Sequence, residues 1–454
     1  MIRLGAKGLT YFAAVTLLVG VTGCASFKTP SIPGFGGGKD KKASARVAPG
    51  QRIPVLPSSQ TLTPAAALKG VDFSLPAPEP STDWPVPGGN VEQSVQHVDA
   101  GANLQIAWRR KVGVGDSRMT HIMAPPVAGE GRLFLLDGKA DVVALDGAGG
   151  REIWRVDLSN KKGPDREAFG GGVAYADGVV FVSSGYRFVA ALDAKTGKTI
   201  WKIPTSSPVH GAPTVSGGKV YVIDVVDQLQ AYDVKTGASA WTYQPLEEPA
   251  RMLIAASPAV SGEQVVAPFA SGELVAVSAA NGNDLWTDVL SLTSRNNALS
   301  EIRDISGRPA IDRGVVYAGS HSGVLGAVDL RTGQRLWSQP IDIISAPWPA
   351  GDVVYAVSQQ GDVLCLARDS GQIYWIKRLN AALRKKFQAQ WSGAILASNR
   401  LLLMSDKGDL LALDPKTGAE LKRVHLGAPA FMTPIAAGGM LYILADNGEM
   451  IAIR

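Results

Sequence analysis

The stretch Ala191-Leu192-Asp193-Ala194-Lys195-Thr196-Gly197-Lys198-Thr199-Ile200-Trp201 decides the fold, because the chain repeats it. The same order of small residue, apolar residue, Asp, Thr-Gly and Trp returns as Ala231-Tyr232-Asp233, Thr236-Gly237 and Trp241. It returns again as Ala327-Val328-Asp329, Thr332-Gly333 and Trp337. Looser copies run from Ala144 through Gly150 to Trp154, from Ala276 through Gly282 to Trp286, and from Cys365 through Gly371 to Trp375. A seventh begins Ala412-Leu413-Asp414 and reaches Thr417-Gly418. Between the small residues the intervals are 47, 40, 45, 51, 38 and 47 residues, and a further 40 reaches Ala452. A period of that length without helical patterning belongs to a β-propeller blade.

Each unit divides into four strands. A Pro-containing run opens it, as in Ala212-Pro213-Thr214-Val215 or Ser257-Pro258-Ala259-Val260. Glycine turns then lead through a β-branched strand into the Ala-Leu-Asp strand. In the next turn the Asp side chain (Asp146, Asp193, Asp233, Asp329, Asp414) accepts from backbone amides two or three residues on, and Gly takes positive φ. The spacing makes these acids structural. The tryptophans Trp108, Trp154, Trp201, Trp241, Trp286, Trp337 and Trp375 fall on the outer strand, where each covers the seam to the next blade. Two loose ends remain. Leu441 to Arg454 supplies three strands without a Trp, and Leu104 to Trp108 supplies a Trp strand with nothing before it. Joined, they make an eighth blade and remove the sheet edge an open array would expose. The expected fold is all-β, an eight-bladed propeller over 90–454 with four antiparallel strands per blade, the last closed by both chain ends.

The region before the repeats reads differently. Residues 1–23 carry basic Arg3 and Lys7, an apolar run from Leu9 to Val21, and Thr22-Gly23 ahead of Cys24. That pattern is an export signal, too short for a comfortable membrane span. Residues 24–89 are rich in Pro, Gly, Ser and Lys and read as a flexible tether, of which Val71-Asp72-Phe73 or Trp84-Pro85 has the apolar surface to dock on the domain. Without the signal, 43 basic face 40 acidic residues, too small an excess to indicate nucleic acid. There are two cysteines, Cys24 and Cys365. Cys365 takes a small-residue position and reads as buried and inert.

The repeat resembles that of the quinoprotein-like propellers, and Thr22-Gly23-Cys24 resembles a bacterial lipoprotein signal. Together they resemble the outer-membrane assembly-factor lipoproteins, the BamB family, over about 90–454 plus the anchor. The resemblance implies lipid attachment at Cys24, with Ala25 pointing to the outer membrane, and a ring that faces the periplasm. It implies a non-catalytic scaffold, monomeric within the barrel-assembly complex, that binds the periplasmic domains of BamA and aids insertion of outer-membrane proteins. Quinoprotein alcohol dehydrogenases, the catalytic relatives, use pyrroloquinoline quinone, a disulfide of adjacent cysteines and a carboxylate-held calcium. A chain with Cys24 acylated and only Cys365 free cannot form that disulfide, and it holds no Cys-x-x-Cys-His haem site. The expectation is no cofactor, no metal and no enzyme. His97, His121, His210, His321 and His425 lack ligand spacing. A quinone-dependent dehydrogenase and a periplasmic glycan- or peptide-binding propeller stay as alternative functions.

Blades longer than the 38-residue minimum carry their excess mostly between the Trp strand and the next opener, at 155–171, 242–256, 287–308 and 376–391. Such connections emerge on one face, and loops on a rigid scaffold carry recognition. Two combine apolar anchors with charge: Arg251, Met252, Leu253 and Ile254 in one, and Glu301, Arg303 and Asp304 in the other. By resemblance, Met252 and Leu253 match the apolar part of the family contact and Asp304 its first acid. Arg251 lies near the position of the family arginine, and Ser306 stands where a second acid is expected. Arg384-Lys385-Lys386 reads as a solvated basic loop.

Overall fold

The computed structural model describes residues 62–454 apart from 160–167, 246–255, 291–303, 306, 344 and 382. Among the described residues the chain forms eight four-stranded antiparallel sheets. Blade I shows the pattern: Val127–Gly129, Arg132–Leu136, Asp141–Asp146 and Glu152–Asp157, paired in that order from the inside out. Blades II to VII follow at 171–204, 214–243, 259–289, 310–339, 348–378 and 391–425. Blade VIII takes Ile435–Ala437, Met440–Leu444 and Glu449–Ile453 from the C-terminus and Ile106–Lys111 from the N-terminal side. Trp108 pairs with Ala452, as the loose ends required.

The small residue of the repeat has a packing reason. Ala231 lies between Tyr221 on the second strand and Trp241 on the fourth, in register with both. The two rings meet over its methyl group at 5.8 Å between centroids. The same arrangement recurs at Tyr317 and Trp337 over Ala327, and at Tyr355 and Trp375 over Cys365. A larger residue on the third strand would drive the rings apart. Cys365 is fully buried, and burial pushes its thiol well above the ordinary range, as an inert core residue requires.

Each tryptophan then reaches across the seam. The indole N–H of Trp108, Trp154, Trp201, Trp241, Trp286, Trp337 and Trp375 donates to the carbonyl of Gly147, Ala194, Val234, Ala279, Leu330, Arg368 and Pro415, all at 2.7–3.2 Å. Each acceptor belongs to the turn of the next blade. The turn glycine lies flat under the indole: a Cβ on Gly150, Gly197, Gly237, Gly282, Gly333, Gly371 or Gly418 would come within 2.5–2.8 Å of ring atoms. That glycine also holds φ between +67° and +75°, so it is required twice, by backbone conformation and by the neighbouring blade. At the turn itself, Asp193 accepts from the amides of Lys195 and Thr196 and from the Thr196 hydroxyl, at 2.7–3.1 Å. These bonds hold its carboxyl below the usual carboxylate range.

The seam between blades VII and VIII differs. Lys422 occupies the tryptophan register position opposite Ala412, and its Nζ donates to Asn103 O at 2.9 Å.

Residues 62–89, which composition assigns to the tether, lie against the ring and belong to the same compact unit. Both anticipated docking points are used. Phe73 packs on Tyr374 at 4.7 Å between centroids, and Trp84 is completely buried. From Ser81 to Gly101 the arm crosses the channel mouth on the face of the first-to-second-strand turns and bonds to all eight blades. Gly438 N–H donates to Ser81 O, and Trp84 exchanges two backbone bonds with Ala128. Tyr175, Val260 and Ile311 donate to Pro85, Val91 and Glu92. The Gln93 amide donates to Thr214 Oγ1, Gly351 N–H to Gln96 Oε1, and Ser398 N–H to Val98 O. Gly101 N–H closes the circuit on Gly439 O. Proline-rich sequence does not exclude order here, because the inner strands offer free backbone partners.

Candidate functional site

With one mouth crossed by the arm, the opposite face carries the connections between blades and the turns between second and third strands. Arg251, Met252, Leu253, Ile254, Glu301 and Arg303 lie outside the described residues, as does Cys24. Asp304 is described, and it is only 1% exposed. Its carbonyl accepts from His321 N–H at 2.9 Å, and neighbouring Ile305 packs into the core of blades IV and V. The structure thus places Asp304 beneath the face, where its residue type and loop position had suggested a contact acid.

Among the described residues, exposed apolar groups on this face include Leu383, Phe387 and Val226. Lys385–Phe387 forms a single 3-10 turn in the connection from blade VI to VII. Phe387 is 58% exposed and Leu383 43%, with Lys386 Nζ 4.8 Å from the Phe387 ring centroid. The basic run read from sequence is therefore half of an apolar and cationic patch. Its apolar half was legible only as two isolated residues without a period. Val226, exposed on the second-to-third-strand turn of blade III, adds a further apolar point.

Three successive connections are joined by rings. Phe169 stacks on His210 at 5.0 Å between centroids, and His121 meets its edge at 4.9 Å. His210 Nδ1 is buried without a partner, and burial holds the imidazole below its ordinary pKa, so it acts as a neutral packing group. This cluster stiffens the face and could not be read from histidines 89 residues apart in sequence, the separation of His121 and His210.

The channel below this face holds a cavity of about 160 Å³, lined by Pro87 of the arm, Met123, Ser257, Arg308, Ser345, Ser392 and Thr433 among others. A quinone cofactor with calcium is what the catalytic relatives would place in such a channel. The lining offers no carboxylate for calcium, and Pro87 of the arm forms part of it. Among the described residues no group of three or more His, Cys, Asp or Glu is gathered for a metal, and Cys365 has no cysteine partner. The residues present do not fit that group.

A family model described as outer membrane protein assembly factor BamB matches residues 91–165, 161–377 and 380–454. The chain belongs to the BamB family. BamB of Yersinia pestis is 28% identical over 351 residues, which is 76% of this chain and 87% of that protein. BamB of Escherichia coli K12 is 27% identical over 352 residues, 76% of this chain and 88% of its own length. The crystal structure of BamB from Moraxella catarrhalis superposes with a TM-score of 0.62 at 20% identity, over 77% of this chain and 99% of that one. Quinohemoprotein alcohol dehydrogenase from Comamonas testosteroni gives a TM-score of 0.64 at 15% identity, over 80% of this chain and 76% of that one. These two likenesses show the shared propeller fold. The BamB match starts at residue 91, so the segment that carries Phe73 and Trp84 lies ahead of it. Among the described residues no helix is long and apolar enough to cross a membrane.

Proposed function

We propose that this chain is a non-catalytic scaffold lipoprotein of the outer-membrane β-barrel assembly complex. In this reading residues 1–23 are removed, Cys24 carries lipid in the outer membrane, and the ring faces the periplasm. The recognition face binds the periplasmic domains of BamA and so aids folding and insertion of outer-membrane proteins. The observation that carries the reading is the BamB family match over the whole ring. The sealed mouth supports the orientation of binding, since the arm already uses the inner-strand partners on its own face. Met252 and Leu253 would be the apolar anchors, and Leu383 and Phe387 a second apolar contact with their flanking cations. Asp304, being buried, would hold the loop base and not touch the partner.

The test is affinity purification of the tagged full chain from membranes in mild detergent. The expected result is co-purification of the barrel subunit, lost on Met252→Asp with Leu253→Asp and weakened on Phe387→Asp, each variant keeping the wild-type thermal transition. Cys24→Ser should release the chain into the soluble periplasmic fraction. Undiminished recovery with the double variant would overturn the contact, and co-purification of unrelated partners alone would overturn the assembly reading.

A further inference from the structure

Arg308 stands two residues before the inner strand Ala310–Asp312 of blade V and lines the channel cavity. Several other guanidiniums in the ring stand against acids. Arg368 pairs with Asp312, Arg155 with Asp141 and Glu152, and Arg423 with Asp409 and Glu420. Arg308 is not matched. Its Nε has no partner, and no acid stands among the residues lining the cavity. Burial alone lowers its pKa to about 10, with no carboxylate acting against the shift, so it stays charged at neutral pH. Ser392, on the inner strand of blade VII, lines the same cavity; it is 3% exposed, and its hydroxyl also lacks a partner. A guanidinium without a counter-ion and a buried hydroxyl without a partner, both lining one cavity, favour a ligand that satisfies both.

We propose that Arg308 and Ser392 form a carboxylate-binding site in the channel, entered from the recognition face. The guanidinium fork accepts a planar carboxylate through two parallel N–H bonds, and a hydroxyl donates to a remaining lone pair. A cavity of about 160 Å³ admits a small acid or the end of a polypeptide, not a large polycyclic cofactor. The carboxylate can come from a free small acid or from the terminus or side chain of a polypeptide inserted from above. The site does not depend on which partner the outer loops bind.

The experiment uses the full chain and reads acetate binding by saturation-transfer NMR on its methyl signal, with ionic strength held constant by chloride. Wild type should bind. Arg308→Met should weaken binding at least tenfold and Ser392→Ala severalfold, with unchanged near-UV circular dichroism. Should the Met variant fail to fold, Arg308→Lys keeps the charge, loses the fork, and should weaken acetate severalfold. A five-residue peptide with a free C-terminal carboxylate and its C-terminal amide separate the sources. Tighter binding of the acid peptide than of acetate, lost in the amide, assigns the site to polypeptide. Equal binding of acetate and acid peptide assigns it to small acids. Absence of binding by both, or equal affinity in wild type and the Arg308 variants, overturns the site.

Discussion

Trp84→Ala tests whether the arm is one cooperative latch. Trp84 is fully buried, its indole donates to Pro87 O at 3.2 Å, and its backbone exchanges two bonds with Ala128. Truncating a buried tryptophan removes about 3–5 kcal/mol. The other attachments are hydrogen bonds of about 1 kcal/mol net each, strong only while the arm lies flat. If the arm lifts as a unit, the variant should expose the amides of Tyr175, Val260, Ile311 and Ser398, which donate to arm carbonyls in four different blades. At about 1.4 kcal/mol per tenfold, their hydrogen-exchange protection should fall together by about two to four orders of magnitude. Amides inside Gln264–Pro268, bonded within blade IV, serve as controls and should keep wild-type protection. Loss of protection at Tyr175 alone, with the other three unchanged, would refute the single latch and show an arm fixed piece by piece.

Gly237→Ala meets a left-handed φ of +71° and ring atoms of Trp201 at 2.8 Å. It should destabilise by about 2–4 kcal/mol, measured by urea unfolding, from backbone strain and overpacking together; a loss under half a kilocalorie would show that the seam is loose. Trp241→Ala should lose about 3–5 kcal/mol, whereas Lys422→Ala at the corresponding exposed position should lose less than about 1 kcal/mol; equal losses would contradict the different build of the closing seam. His97 Nε2 accepts from Asn399 N–H at 2.9 Å while Nδ1 faces Pro76 O, and burial lowers its pKa below 6.5. The neutral ring is thus the folded form: its stabilisation is complete above pH 6.5 and declines as pH falls below it. The urea midpoint of His97→Gln should therefore vary less between pH 7.5 and 5.5 than that of wild type, and an equal slope would count against the assignment.

The repeat was legible because the same packing demands recur from blade to blade. Asp193 needs its turn amides, Gly197 needs φ of +73° and a flat surface for Trp154, and Ala191 needs to be small beneath Trp201. Such demands recur with the blade and so print a period. The arm prints none. Its twenty or so residues meet eight different blades, most through whichever backbone group faces them and two through the side chains of Gln93 and Gln96, and such varied contacts leave no period. Phe73 and Trp84 were its only readable signals, as large aromatics in a polar stretch. Asp304 was misplaced because an acid in a long connection reads the same whether it sits on the loop or under it. Arg308 was invisible for a related reason: no sequence pattern distinguishes an arginine with a counter-ion from one without.

The closing seam explains why an arm is needed at all. At seven seams the tryptophan rests on a glycine turn of the next blade, and that turn joins its third and fourth strands. In blade VIII no turn joins the third and fourth strands, since the third is Glu449–Ile453 and the fourth Ile106–Lys111. An indole from blade VII would have no covalent turn to rest on, and Lys422 reaching Asn103 O is the substitute that remains. That seam is held instead by the incoming chain. Asn103 and Gln105 N–H both donate to Arg454 O, and Arg400 Nη2 of blade VII donates to Gly101 O. Continuing the same segment around the channel mouth ties blades VII, VIII and I to the rest of the ring without any further seam tryptophan. The closure that the repeat cannot supply is provided by non-repeating sequence, and that sequence lies across one mouth of the channel.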